Sequence, residues 1–96
     1  MSEKLTEMNF AVYTKDGCPY CDKIKQVLEL TESKFVVYNL NKDFNKDAFY
    51  GEFGKDSTFP QVVCEGKKLG GCIDTIKYLN HFILYSIILF VFLIKR

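Results

Sequence analysis

Cys18 and Cys21 stand three residues apart, with Pro19 and Tyr20 between them and Gly17 just before. On a helix that spacing puts both thiols within one turn. Two thiols so close can join in a disulfide, and the second can attack the first once the first is bound to another sulfur. The reacting species is the thiolate. Upstream, the apolar run Phe10-Ala11-Val12-Tyr13 reads as a buried strand. Downstream, Ile24, Val27, Leu28 and, less regularly, Leu30 recur at the i, i+3, i+4 spacing of a helix lying on a core. Cys18 therefore falls where a strand passes into a helix, facing unpaired backbone N–H groups and the positive end of the helix dipole, which stabilise a thiolate. The chemistry predicted is thiol–disulfide exchange.

Metal binding is the alternative use of such a pair. Zinc sites usually bring a second close ligand pair. Here the other cysteines, Cys64 and Cys72, are eight apart, and the one histidine, His81, lies in an apolar tail. No metal is expected.

Other segments add groups to this chemistry. Thr58-Phe59-Pro60 precedes a strand, and a proline there, downstream of a strand-linked dithiol, is expected to take a cis bond. The backbone of Phe59 would then lie open beside the thiols, ready to pair with an extended substrate. Gly70-Gly71-Cys72-Ile73-Asp74 permits close backbone approach to a ligand, with helix N-terminal amides receiving a carboxylate and Asp74 an ammonium group. A plain turn is the alternative there. Lys15, three residues before Cys18, is placed to lower the thiol pKa and to receive a substrate carboxylate. Cys64 shares a strand face with Val62 and reads as a small buried apolar residue. Cys72 lies nearer the dithiol as an oxidisable thiol that the chemistry does not require.

The elements that must position these groups follow from the pattern. Residues 9–14 read as a strand, 19–31 as a helix and 35–40 as a second strand. Such a unit predicts a parallel pair with a right-handed crossover. Asn41-Lys42-Asp43 offers helix capping, Phe44, Ala48, Phe49 and Phe53 recur at helical spacing, and Gly54 is a C-cap. Gln61–Cys64 reads as a third strand, Glu65-Gly66-Lys67 as a turn and Lys68-Leu69 as a short return strand. A last helix opens at Cys72-Ile73-Asp74 and runs through Ile76, Tyr78 and Leu79. The order is β-α-β-α-β-β-α.

With 96 residues the chain holds one domain. Lys+Arg 13 against Asp+Glu 12 leaves a charge of +1, so no nucleic acid or other polyanion is expected as a partner. The start, Met-Ser-Glu-Lys-Leu-Thr-Glu-Met, carries no apolar signal segment. A reducing, cytoplasmic setting is expected, in which Cys-x-x-Cys reads as redox rather than structural. Residues 1–80 are expected to form the redox domain and 81–96 a hydrophobic tail. From Tyr78 to Ile94 there is no formal charge, and Lys95-Arg96 ends the chain. As a helix that stretch would reach about 26 Å, against a hydrocarbon core of about 30 Å. It is expected either to extend the last helix, packed on the core or in a dimer contact, or to anchor the domain to a membrane from the cytoplasmic side.

Taken together, Cys18-Pro19-Tyr20-Cys21, Thr58-Phe59-Pro60 and Gly70-Gly71-Cys72-Ile73-Asp74 resemble, in order and spacing, the motifs of the dithiol glutaredoxins. The resemblance covers roughly residues 8–80. It implies a thioredoxin-like α/β fold, with a four-stranded mixed sheet in order 2-1-3-4 flanked by helices on both faces. It also implies glutathione as reducing co-substrate, and disulfide-containing or glutathionylated proteins as partners. Ribonucleotide reductase is one such partner by family analogy. Carried over, Cys18 is the nucleophile and Cys21 the resolving thiol. Lys15 and Tyr20 flank glutathione, the backbone of Phe59 before Pro60 pairs with its cysteinyl part, and the segment from Cys72 to Asp74 holds its γ-glutamyl end. Phe59 stands where the family often has a smaller β-branched residue, which would narrow the site. The apolar tail is foreign to the soluble members. Two rival readings follow from the same family: a glutathione-ligated iron–sulfur carrier, which Pro19 disfavours by stiffening the loop, and a protein reduced by a flavin reductase, which the glutathione-site residues disfavour.

Overall fold

The structure is a computed structural model that describes residues 8–81. Its elements run β1 (Asn9–Thr14), α1 (Pro19–Leu30), β2 (Lys34–Asn39), α2 (Lys46–Phe53), β3 (Gln61–Cys64), β4 (Lys67–Gly70) and α3, helical from 72 to 81 where the described residues end. The four strands form one mixed sheet in the order β2-β1-β3-β4. β1 pairs in parallel with β2, Phe10 opposite Phe35, and antiparallel with β3, Phe10 opposite Cys64. β4 returns antiparallel along β3 with an irregularity between Val62 and Val63.

The alternation of β1 decides which helix goes where. Phe10, Val12 and Thr14 are buried on one face, while Ala11 and Tyr13 point to the other. Phe10, Val12, Val62 and Cys64 form a core with Ile24 and Leu28 of α1 and Leu79 of α3. The opposite face is aromatic. Tyr13 meets Phe44 and Phe53 edge-on at 5.4 and 5.1 Å, and Phe49 of α2 is buried among these rings. Helices therefore cover both faces of the sheet, as expected.

The boundaries differ in instructive ways. Asn41-Lys42-Asp43 makes a turn, not a cap: the amides of Lys42 and Asp43 both donate to the Asn39 carbonyl. Asn45 caps α2 instead, its side-chain oxygen accepting the Ala48 N–H at 2.8 Å. Phe44 thus precedes the helix that it was expected to join, and Ala48 is exposed. Lys67 belongs to β4 and not to the turn. Leu30 does not pack on the core; it is 83% exposed. Gly54 caps α2 as expected, its amide donating to Tyr50. Of the apolar tail expected over 81–96, residue 81 continues α3, and 82–96 lie outside the described residues. Among the described residues no helix is long and apolar enough to cross a membrane.

Candidate active site

β1 delivers the chain to the site, and α1 begins there. Gly17, at φ +68°, turns the backbone in a conformation that L side chains resist. Cys18 follows as the N-cap of α1, in extended backbone, with Pro19 in the first helical turn, where the missing N–H is no loss. The cap uses sulfur in place of the usual oxygen: the Cys21 N–H donates to Cys18 Sγ at 3.1 Å. Cys18 and Cys21 are joined as a disulfide, with Cα atoms 5.2 Å apart. On reduction the same amide faces the Cys18 thiolate, and hydrogen bonds to charged groups are worth about 1.5–3 kcal/mol. The two cysteines differ in access. Cys18 is 8% exposed and Cys21 1%.

Tyr20 leads from the thiols into a cleft of about 350 Å³. The segments singled out from sequence line it: Tyr20, Thr58-Phe59-Pro60 and all of Gly70-Gly71-Cys72-Ile73-Asp74. The Phe59–Pro60 peptide bond is cis, as expected. Pro60 is buried beneath the cleft, and a side-chain carbon on Gly71 would meet its carbonyl oxygen at 3.5 Å. α3 starts at the cleft floor, where Thr75, fully buried, donates from both its N–H and its hydroxyl to the Gly71 carbonyl at 3.0 and 2.7 Å. This doubled bond ties the first turn of α3 to the glycine pair and holds Cys72 and Asp74 at the cleft.

Lys15, Cys18 and Cys21 are not wall residues of the cleft. Lys15 reaches toward it, with Nζ 5.4 Å from the ring centroid of Phe59. Lys23 of α1 sits likewise over Tyr20, at 5.8 Å. Cys72 carries a buried free thiol. Burial pushes its pKa up, and Lys23 pulls it back only in part. Cys64 is buried in β3 as expected, away from this cleft.

Sequence reasoning missed Gln61 as a wall. It also missed Phe49, whose ring stacks on Phe59 with centroids 4.0 Å apart and planes 10° from parallel. Nothing in the sequence marks that contact, because α2 and the loop before β3 meet only in the folded chain.

The comparisons with known proteins converge on this arrangement. The glutaredoxin family model matches residues 10–69. Glutaredoxin 1 of Rickettsia prowazekii is 36% identical over 69 residues, covering 66% of this chain and 68% of that protein. The chain belongs to the glutaredoxin family. It is accordingly an oxidoreductase acting on thiol–disulfide bonds. Among solved structures, glutaredoxin 1 of Francisella tularensis, complexed with cacodylate, matches with a TM-score of 0.67 and 25% identity over 79% of this chain and 96% of that one. A buckwheat glutaredoxin–glutathione complex matches with a TM-score of 0.67 at 21% identity, over 86% and 78%. These structures share the thioredoxin-like fold described above. In glutaredoxins the reducing co-substrate is glutathione.

Proposed function

We propose that this glutaredoxin reduces protein disulfides and protein–glutathione mixed disulfides at Cys18, with glutathione bound in the cleft between Tyr20 and Asp74. The observation that carries the reading is the asymmetry of the two cysteines: Cys18 Sγ accepts the helix N–H and Cys18 is the more exposed of the pair, at 8% against 1% for Cys21.

The steps balance as sulfur-for-sulfur exchanges. Cys18 thiolate attacks one sulfur of the substrate disulfide; that S–S bond breaks, and the other substrate sulfur leaves and takes a proton. Cys21 then gives up its proton and attacks Cys18 Sγ, releasing the second substrate thiol and forming the Cys18–Cys21 disulfide. Two electrons have passed to the substrate. A glutathione thiolate attacks Cys18, freeing Cys21 as a thiol. A second glutathione takes the glutathionyl sulfur, leaving glutathione disulfide and the Cys18 thiolate. A glutathionylated protein is attacked by the Cys18 thiolate at its glutathionyl sulfur; the protein thiol leaves and takes a proton. The Cys18–glutathione disulfide so formed is resolved by a further glutathione as in the last step, so Cys18 alone is needed. In the cleft, the Phe59 backbone pairs with the cysteinyl part of glutathione, Lys15 and Tyr20 flank it, and the α3 amides and Asp74 take the γ-glutamyl carboxylate and ammonium.

The compartment proposed is cytoplasmic, where thiols are kept reduced and a Cys-x-x-Cys pair serves redox chemistry rather than structure. Ribonucleotide reductase stays a family analogy, and membrane attachment concerns residues beyond 81. The test is glutathione-coupled reduction by wild type, Cys18→Ser and Cys21→Ser. Cys18→Ser is expected to lose both reactions, and Cys21→Ser to lose disulfide reduction while keeping much of the deglutathionylation. Equal loss in both variants would overturn the division of roles.

A further inference from the structure

Lys15 is exposed, yet its ammonium has a defined place. Among the described residues it joins no salt bridge, although Asp16 is its neighbour in sequence. What locates it is a ring: its Nζ lies 5.4 Å from the centroid of Phe59. A cation within about 6 Å of an aromatic face is held by the ring's quadrupole. The ring in turn is not free to swing. Phe49 lies under it at 4.0 Å and 10°, and Phe44 is stacked at 6.3 Å from Phe59 and 5.8 Å from Phe49. Phe49 is 2% exposed and belongs to α2, so the stack stands on the folded body of the domain. Phe59 also lines the cleft beside the dithiol. One ring therefore connects the core of the α2 face, the wall of the cleft and the only cation that the loop from Thr14 to Cys18 carries.

We propose that Phe59 is a positioning residue for this reaction: its ring, held by Phe49, keeps the Lys15 ammonium at the rim of the cleft, where it meets a carboxylate of glutathione. The inference rests on the reading of Lys15 as a glutathione contact. A long, flexible lysine held in place before the ligand arrives loses less freedom on binding. The gain falls mainly on the binding of glutathione, while sulfur transfer still depends on Cys18 and the amide at its cap.

The experiment is steady-state glutathione-coupled reduction by full-length wild type, Lys15→Gln, Phe59→Leu, Phe59→Tyr and the double variant Lys15→Gln/Phe59→Leu. Leucine keeps apolar bulk over Phe49 but has no ring face. Phe59→Leu is expected to raise the KM for glutathione about two- to fivefold, the size of a partly exposed cation–π contact, with a smaller change in kcat. Phe59→Tyr restores the wild-type KM. The double variant is no worse than Lys15→Gln alone, because both changes remove one interaction. Phe49→Leu, which leaves Phe59 in place but removes the stack beneath it, reproduces the KM rise in smaller measure and keeps the test open should Phe59→Leu fold poorly. If Lys15→Gln leaves KM unchanged, the reading of Lys15 falls and the proposal with it. If Lys15→Gln raises KM while Phe59→Leu does not, or the two losses multiply in the double variant, Lys15 stands and the role of Phe59 is overturned.

Discussion

The carboxylate of Asp74 fills the space that a side chain on Gly70 would need. A Cβ at Gly70 would lie 2.6 Å from Asp74 Oδ2 and 3.1 Å from Asp74 Cβ, and Gly70 itself sits at φ +107°. The end of β4 and the first turn of α3 can approach this closely only because position 70 has no side chain.

Gly70→Ala is therefore expected to push the Asp74 carboxylate out of the cleft and to force alanine into a conformation that it resists. The strain is worth about 1–3 kcal/mol of stability, read as a lower midpoint in denaturant. Its KM for glutathione should rise as it does in Asp74→Ala. An unchanged KM beside a lowered midpoint would separate the backbone effect from the binding role given to Asp74.

Cys72 lines the cleft but should not compete with Cys18 for electrophiles. Burial raises its thiol pKa above the ordinary 9.0, so near pH 7 it stays protonated in the folded protein, whereas Cys18 Sγ faces an amide N–H. After reduction, brief alkylation at neutral pH followed by mass mapping should find the label on Cys18 and not on Cys72. Labelling of Cys72 should grow at alkaline pH or after unfolding. Equal early labelling of the two would count against the assignment of the nucleophile.

Tyr13 offers an alkaline test of the aromatic face. Burial first, then the neighbouring Tyr38 and Glu52, raise its pKa above 10.0. For an acid whose folded pKa lies above its unfolded one, the unfolded state gives up its proton first as pH rises. The stability linked to Tyr13 is thus full below pH 10.0 and is lost as pH climbs from there through the folded value. Ultraviolet difference titration of wild type against Tyr13→Phe should show one phenol ionising late, and Tyr13→Phe should flatten the alkaline loss of stability.

Every residue lining the cleft, both cysteines of the dithiol and the family match lie before residue 80. A chain ending at Asn80 keeps Leu79, which is buried in the core. It is expected to retain glutathione-coupled activity close to that of the full chain. Loss of more than about tenfold, with the fold intact by circular dichroism, would show that the tail contributes to the reaction.

Much of this protein was legible in its sequence because the informative signals are local. The dithiol, its place at a strand-to-helix junction and the period-2 burial of β1 depend on residues a few positions apart. The three glutaredoxin motifs then carried the strand order. Boundaries were less legible where two local solutions compete: Asn41 to Asp43 and Asn45 both have capping side chains, and the turn closed by the Asn39 carbonyl takes the first group and leaves the cap to Asn45. Leu30 looked like core by composition, yet it lies two residues past Leu28, about 200° around the helix, and so faces water. What only the tertiary structure decided are contacts between segments whose separation the sequence does not encode. Phe49 reaches Phe59 because α2 lies across the sheet face that Tyr13 also occupies. Residue type told which groups could do chemistry; packing told which of them are held still enough to do it.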